Sequence, residues 1–186
     1  IRLDKEIERF LNYLDNSIGK NTYTLFLTAD HGASDAPGFL KDNKIPINYF
    51  FYKGFRSHVE DSLVKLYGSK DIILNSSNQQ IFLNYELIEK LNLNSEDVKN
   101  NIMNLIQSYP GIDNVYSSYE ILNQNDDHFV RLIRNGFNQN LSGDIVYTMM
   151  PNWMGYRKGS THGRRYNHHT HVPLIFFGNG IKKGSI

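Results

Sequence analysis

Tyr23-Thr24-Leu25-Phe26-Leu27-Thr28-Ala29-Asp30-His31-Gly32 is the stretch that decides the fold class. Its first six residues are short, β-prone and mostly apolar, the pattern of a strand buried on both faces of a parallel sheet. Asp, His and Gly then close it at its carboxyl end, where open parallel sheets bind ligands. Upstream, Leu3, Ile7, Phe10, Leu11, Leu14 and Ile18 recur at helical spacing before Gly19, which predicts an amphipathic helix over Leu3 to Ile18 with a left-handed stop. Far downstream, Val172-Pro173-Leu174-Ile175-Phe176-Phe177 reads as a second apolar strand, closed by Gly178 and Gly180.

The middle of the chain alternates. Helical spacing is found from about Phe55 to Tyr67 and from Ser95 to Tyr109, with Ser95 placed to cap the latter. Strands are expected at Gln80 to Asn84, Asn114 to Tyr119 and Ile145 to Met149, and Phe129, Leu132 and Ile133 mark a short helix between the last two. This β-α-β-α-β succession argues for an α/β fold.

Composition narrows the function classes. Across 186 residues, 20 Lys and Arg stand against 19 Asp and Glu, a net charge of +1, so no whole-molecule field draws in nucleic acid or anionic lipid. With no cysteine, structural disulfides, Cys-ligated zinc and a thiol nucleophile are excluded, and any metal chemistry falls to His and carboxylates. No run approaches the roughly 18–20 apolar residues of a membrane span. The opening Ile1-Arg2-Leu3-Asp4-Lys5 has no signal-peptide pattern and starts inside helical periodicity without an initiator Met, which leads us to expect a piece of a longer protein.

Three groups carry possible chemistry. Asp30 and His31, on a turn freed by Gly32, can offer a carboxylate oxygen and an imidazole nitrogen to one divalent cation; alone, they read equally as a polar strand-end turn. Gly159-Ser160-Thr161-His162-Gly163, with His168, His169 and His171 behind it, gathers four of the seven histidines. Glycines beside an imidazole let backbone approach a metal, although the loop by itself reads first as a solvated surface. Arg157, Lys158, Arg164 and Arg165 surround His162 and would suit a phosphate ester or other anion, or form a basic surface. His58, His128, Trp153 and the methionines around it read as packing or surface residues.

Taken in order, Thr28-Ala29-Asp30-His31-Gly32, Gly159-Ser160-Thr161-His162-Gly163 and Thr170-His171-Val172-Pro173-Leu174 resemble the alkaline phosphatase superfamily. The likeness is strongest to its bacterial monoesterases related to nucleotide pyrophosphatase/phosphodiesterases. Ser77 to Asn84 and Asn135 to Gln139 resemble the same branch, so the likeness covers nearly the whole chain. It implies part of a three-layer sandwich with a mostly parallel sheet, residues 1–40 and 155–186 forming a metal-site framework around an inserted β-α-β-α-β subdomain at 41–154.

The resemblance also implies two Zn2+ ions bridged by substrate phosphate and a Thr or Ser nucleophile that passes through a phosphoryl-enzyme. Matched by motif, Asp30 and His31 would bind the zinc beside the nucleophile and His162 would complete the other. His171 competes for that last place, though its position before an apolar strand suits a structural role. The nucleophile and the remaining ligands are expected upstream of Ile1, so this chain carries no catalytic residue, is expected to be inactive alone, and should bind zinc weakly. Relatives commonly carry Tyr-Asp before Thr-His-Val-Pro, where this chain has His168-His169.

The expected substrate is a small phosphate ester, the expected partner the missing amino-terminal portion, and the expected location periplasmic or secreted, with no nucleic acid and no membrane span. Monoester and diester preference stay open, a nucleotide pyrophosphatase/phosphodiesterase being the alternative. Two readings from other classes are a His-rich metal-binding module using the His162 to His171 loop for zinc, nickel or copper, and a single-strand nucleic-acid binder using Arg157 to Arg165.

Overall fold

The computed structural model describes residues 2–124 and 127–185; Ile1, Asn125, Asp126 and Ile186 lie outside the described residues. The chain divides into two compact units, one of residues 1–32 with 171–186 and the other of residues 33–170.

The first unit is built from α1 (Arg2–Ile18), β1 (Thr24–Thr28) and, from the far end of the chain, β8 (Leu174–Gly178). Gly19 takes φ +97° as the helix stops. Thr22 Oγ1 then covers the Ile18 and Gly19 carbonyl oxygens at 2.8 and 2.6 Å, occupying acceptors that a helix end leaves open. β1 and β8 pair in antiparallel register from Thr24 opposite Gly178 to Thr28 opposite Leu174. Gly178 is required there: a Cβ at that position would stand 2.2 Å from the Tyr23 carbonyl oxygen.

Two expectations are corrected here. Within this chain the ladder partner of β1 runs antiparallel, and the apolar strands are not buried: Phe26 is 64% exposed, and Leu174 to Phe177 are exposed as well. Each strand finds only the other as a ladder neighbour among the described residues, and a sheet's faces are covered by elements packed over it rather than by ladder partners, a cover that leaves only Leu25 of β1 half-buried here.

The second unit carries the core. Its sheet has the order β3-β4-β6-β5 and is antiparallel throughout: β3 (Ile73–Ser77), β4 (Gln80–Leu83), β5 (Ile112–Ser117) and β6 (Ile145–Met149). Alternation along β6 sorts the layers. Ile145, Tyr147 and Met149 join Phe55, Val59 and Leu63 of α3 (Tyr52–Tyr67) and Val98, Ile102 and Ile106 of α5 (Ser95–Gln107) in one cluster. Val146 joins Tyr116, Ile121 of α6 (Ser118–Asn123) and Val130 of α7 (His128–Asn135) in another.

The predicted strands and helices of this unit are present, with additions. β3 was not expected; it forms a hairpin with β4 through Asn78 and Gln79, both at positive φ, as a two-residue turn that matches strand twist demands. A short α4 (Tyr85–Lys90) precedes α5. The α5 cap is Asn94, not Ser95: its side chain accepts the Glu96 and Asp97 backbone N–H groups at 2.9 and 3.1 Å. α6 opens on a capping box between Ser117 and Glu120. Outside the sheet, α2 (Pro37–Asp42) precedes β2 (Asn48–Tyr49), which pairs in parallel with β7 (Trp153–Met154), so the segments flanking the sheet enter and leave side by side. A single turn, α8 (Asn167–Thr170), ends the unit. No described helix is long and apolar enough to cross a membrane.

Candidate metal site

The end of β1 brings Asp30 and His31 together. Asp30 Oδ1 accepts the His31 backbone N–H at 3.0 Å, and Oδ2 lies 3.4 Å from His31 Nε2. On the other side of the ring, Nδ1 is 2.8 Å from the Gly32 carbonyl oxygen. A carbonyl can only accept, so Nδ1 holds a proton, and in the neutral tautomer the lone pair is on Nε2. In that tautomer a carboxylate oxygen and an imidazole nitrogen lie on one side, a pair of donors that one cation can take. The Nδ1 contact to a backbone carbonyl is also how metal-binding imidazoles are commonly oriented. One oxygen and one neutral nitrogen suit a borderline ion such as Zn2+, and both side chains are open to solvent. Among the described residues, no three His, Asp or Glu side chains gather around one point.

The ladder register bears on His171. It precedes β8 by three residues, and Leu174 stands opposite Thr28, so His171 belongs to the same end of the ladder as Asp30 and His31.

His162 lies in the other unit, exposed, between Thr161 and a Gly163 at φ +85°. The loop that carries it is anchored before and after. Ahead of it, the Ser34 N–H donates to the Thr161 carbonyl at 2.8 Å, and Ser160 Oγ donates to the Ser34 carbonyl. Behind it, three consecutive side chains turn inward. Arg164 gives Nη1 to the Met150 carbonyl at 2.9 Å and Nη2 to the Trp153 carbonyl; burial pushes its guanidinium below the usual arginine value.

Arg165 is 8% exposed, pairs with Asp113 Oδ2 at 2.6 Å, donates to the Tyr116 hydroxyl at 2.7 Å and lies 4.4 Å over the Phe129 ring. Burial opposes its charge, but the hydrogen bonds it donates to Tyr116 and Asp113, with the charge of those groups, outweigh that, and the net direction is upward. The Tyr166 hydroxyl donates to the same Asp113 oxygen at 2.9 Å; burial first, and that bond second, push the phenol up to about 12.

These contacts revise the role of the basic cluster. Arg164 and Arg165 are structural anchors whose donors face carbonyls and a carboxylate, so neither presents a phosphate- or nucleic-acid-binding fork. Arg157 instead stands over the Tyr49 ring at 5.3 Å. The histidine tract also divides. His168 stacks on Tyr166, whereas His169 is 2% exposed, with Nε2 2.7 Å from Ser34 Oγ and Nδ1 3.3 Å from the Arg164 backbone nitrogen. A buried ring engaged at both nitrogens is not part of a solvent-facing row of imidazoles, which counts against a stand-alone metal-scavenging loop. Ser34, Asp113, Tyr166 and His169 had no signal in local sequence, because their partners are between 5 and 135 positions away.

The likeness to known proteins is extensive. The family model for type I phosphodiesterase / nucleotide pyrophosphatase matches residues 1–173. A protein of Myroides odoratus named calcium-transporting ATPase is 36% identical over 99% of this chain, and alkaline phosphatase PafA of Elizabethkingia meningoseptica is 31% identical over 99% of it. Alkaline phosphatase PhoV of Synechococcus elongatus is also 31% identical. The chain spans about a third of the length of these relatives, 34%, 34% and 33% respectively, and corresponds to a carboxyl-terminal portion of them. The crystal structure of wild-type alkaline phosphatase PafA superposes with a TM-score of 0.87 over 98% of this chain and 35% of PafA, at 32% identity. The α/β fold is therefore that of the matching portion of an alkaline phosphatase, and the chain belongs to the type I phosphodiesterase / nucleotide pyrophosphatase family of the alkaline phosphatase superfamily.

Proposed function

We propose that this chain is the carboxyl-terminal part of a zinc-dependent phosphate-ester hydrolase, with residues 1–40 and 155–186 as its metal-bearing framework and 41–154 as an insertion. Asp30 and His31 hold one Zn2+, and His162 completes the coordination of a second. The observation that carries this reading is the pairing of Asp30 Oδ2 with the Nε2 of a ring whose proton is directed to the Gly32 carbonyl. The motif order and the names of the relatives agree with it.

When bound, two such ions supply Lewis-acid polarisation of the phosphoryl oxygens and lower the pKa of an attacking hydroxyl or water. This chain's own part is to hold and orient. Gly32 fixes the His31 tautomer, Asp30 brings a full negative charge, and the anchored residues around His162 limit where its imidazole can point. The nucleophile, a Thr or Ser, and the remaining ligands come from the rest of the protein. The substrate is a small phosphate ester in the periplasm or outside the cell, a phosphodiester being the alternative to a monoester.

The test is hydrolysis of p-nitrophenyl phosphate and bis(p-nitrophenyl) phosphate by the intact protein, before and after chelation and zinc re-addition. Chelation should abolish turnover and zinc restore it, and Asp30→Ala and His162→Ala should each lower kcat/KM by at least about 100-fold. Turnover that survives thorough chelation, or an Asp30→Ala enzyme with wild-type rates, would refute the proposal. The ratio of the two substrates decides between monoester and diester.

A further inference from the structure

We propose that His169 is a positioning residue for His162: its buried ring closes a hydrogen-bonded circuit that clamps the backbone on both sides of that ligand. The proposal rests on the metal reading above, since a clamp matters for zinc only if His162 binds it.

The circuit follows from four contacts. The Arg164 backbone N–H lies 3.3 Å from His169 Nδ1, and a peptide N–H can only donate, so Nδ1 accepts. The neutral ring then carries its proton on Nε2 and donates it to Ser34 Oγ at 2.7 Å. Ser34 closes the circuit from the other side, its N–H donating to the Thr161 carbonyl at 2.8 Å and its carbonyl accepting from Ser160 Oγ. Thr161 and Arg164 are thus both tied to Ser34, one directly and one through the imidazole. Only His162 and Gly163 lie between them, and Gly163 sits at φ +85°, a turn that a side chain would strain.

Burial gives the circuit its rigidity. His169 is 2% exposed, so water cannot replace either partner at low cost, and the backbone N–H of His169 is itself held by the Tyr166 carbonyl at 2.8 Å.

The experiment uses the intact protein with Zn2+ alone as the probe, titrated against a chromophoric chelator, and follows amide hydrogen exchange at residues 161–164 in the metal-free form. His169→Ala should speed exchange at Arg164 and raise the zinc Kd about tenfold, in the range carried by groups that orient metal ligands. His169→Asn, whose side-chain oxygen falls where Nδ1 sits but which does not reach Ser34 Oγ, should restore the Arg164 exchange protection and recover part of the zinc affinity. Ser34→Ala, which leaves the buried Nε2–H of His169 without its acceptor, should raise the zinc Kd about tenfold, as His169→Ala does.

Unchanged exchange at 161–164 in His169→Ala, or unchanged zinc affinity in it while His162→Ala loses zinc, would overturn the clamp and leave the metal assignment standing. If His162→Ala binds zinc as well as the wild type does, the metal assignment itself has failed and the positioning role falls with it. A merely structural role for His169 predicts lowered stability with no rescue of zinc affinity by Asn, which would equally overturn the proposal.

Discussion

The two units of this chain use apolar residues in opposite ways. In residues 33–170, alternation along β6 sends Ile145, Tyr147 and Met149 into a core sealed by α3 and α5, and Val146 into a second cluster under α6 and α7. In the unit formed by the two chain ends, β1 and β8 are more uniformly apolar, yet Phe26 and Leu174 to Phe177 stay exposed. The difference teaches that hydrophobicity reports what a segment can bury, while burial itself depends on the elements packed over it.

The comparison is broken most directly in the sealed core. Ile102 is 0% exposed, and Ile102→Ala should cost about 3–4 kcal/mol, read as a shifted urea midpoint of the 186-residue chain with little change in slope. A loss below about 1 kcal/mol would mean that the core is loose. Next comes the inward-turned pair. Asp113→Ala strands the Arg165 guanidinium and removes an acceptor from Tyr166, so about 2–3 kcal/mol should be lost, and replacing Arg165 with Met in the same chain should return part of it.

A smaller effect is read by pH. With Tyr166 raised to about 12 in the folded chain and near 10 when unfolded, the unfolded state releases the proton first. The stabilising contribution is complete below pH 10 and fades as pH climbs through about 12. Tyr166→Phe should therefore flatten the alkaline fall of the melting temperature, and an unchanged slope would contradict the upward shift of the phenol.

Smallest of all should be Phe26→Ser. Phe26 faces Phe176 across the ladder with ring centroids 6.3 Å apart, and an exposed cross-strand pair of this kind is worth about 0.5 kcal/mol. A loss comparable to that of Ile102→Ala would show that the ladder faces are covered in solution.

What the sequence made legible follows the same division. Ile145 to Met149 was bounded correctly because strict alternation between two packed faces is a period-2 pattern, and the first helix was found because its stripe is long and Gly19 stops it. β3 was missed because Asn75, Ser76 and Ser77 are polar on an edge strand, where the ladder and the turn at Asn78 and Gln79 supply what side chains do not. Asp30 and His31 stood out in the sequence as candidates because a polar pair abruptly ends an apolar run. The duties of Arg164, Arg165 and His169 were not, because charge and polarity point outward by default and their partners are set by tertiary contact alone.

The parallel bridge of Asn48 and Tyr49 with Trp153 and Met154 brings the segments that flank the four-stranded sheet side by side. The Met150 and Trp153 carbonyls and the Asp113 carboxylate grip Arg164, Arg165 and Tyr166, so a change that displaces those two carbonyls or that carboxylate unmoors the loop that carries His162.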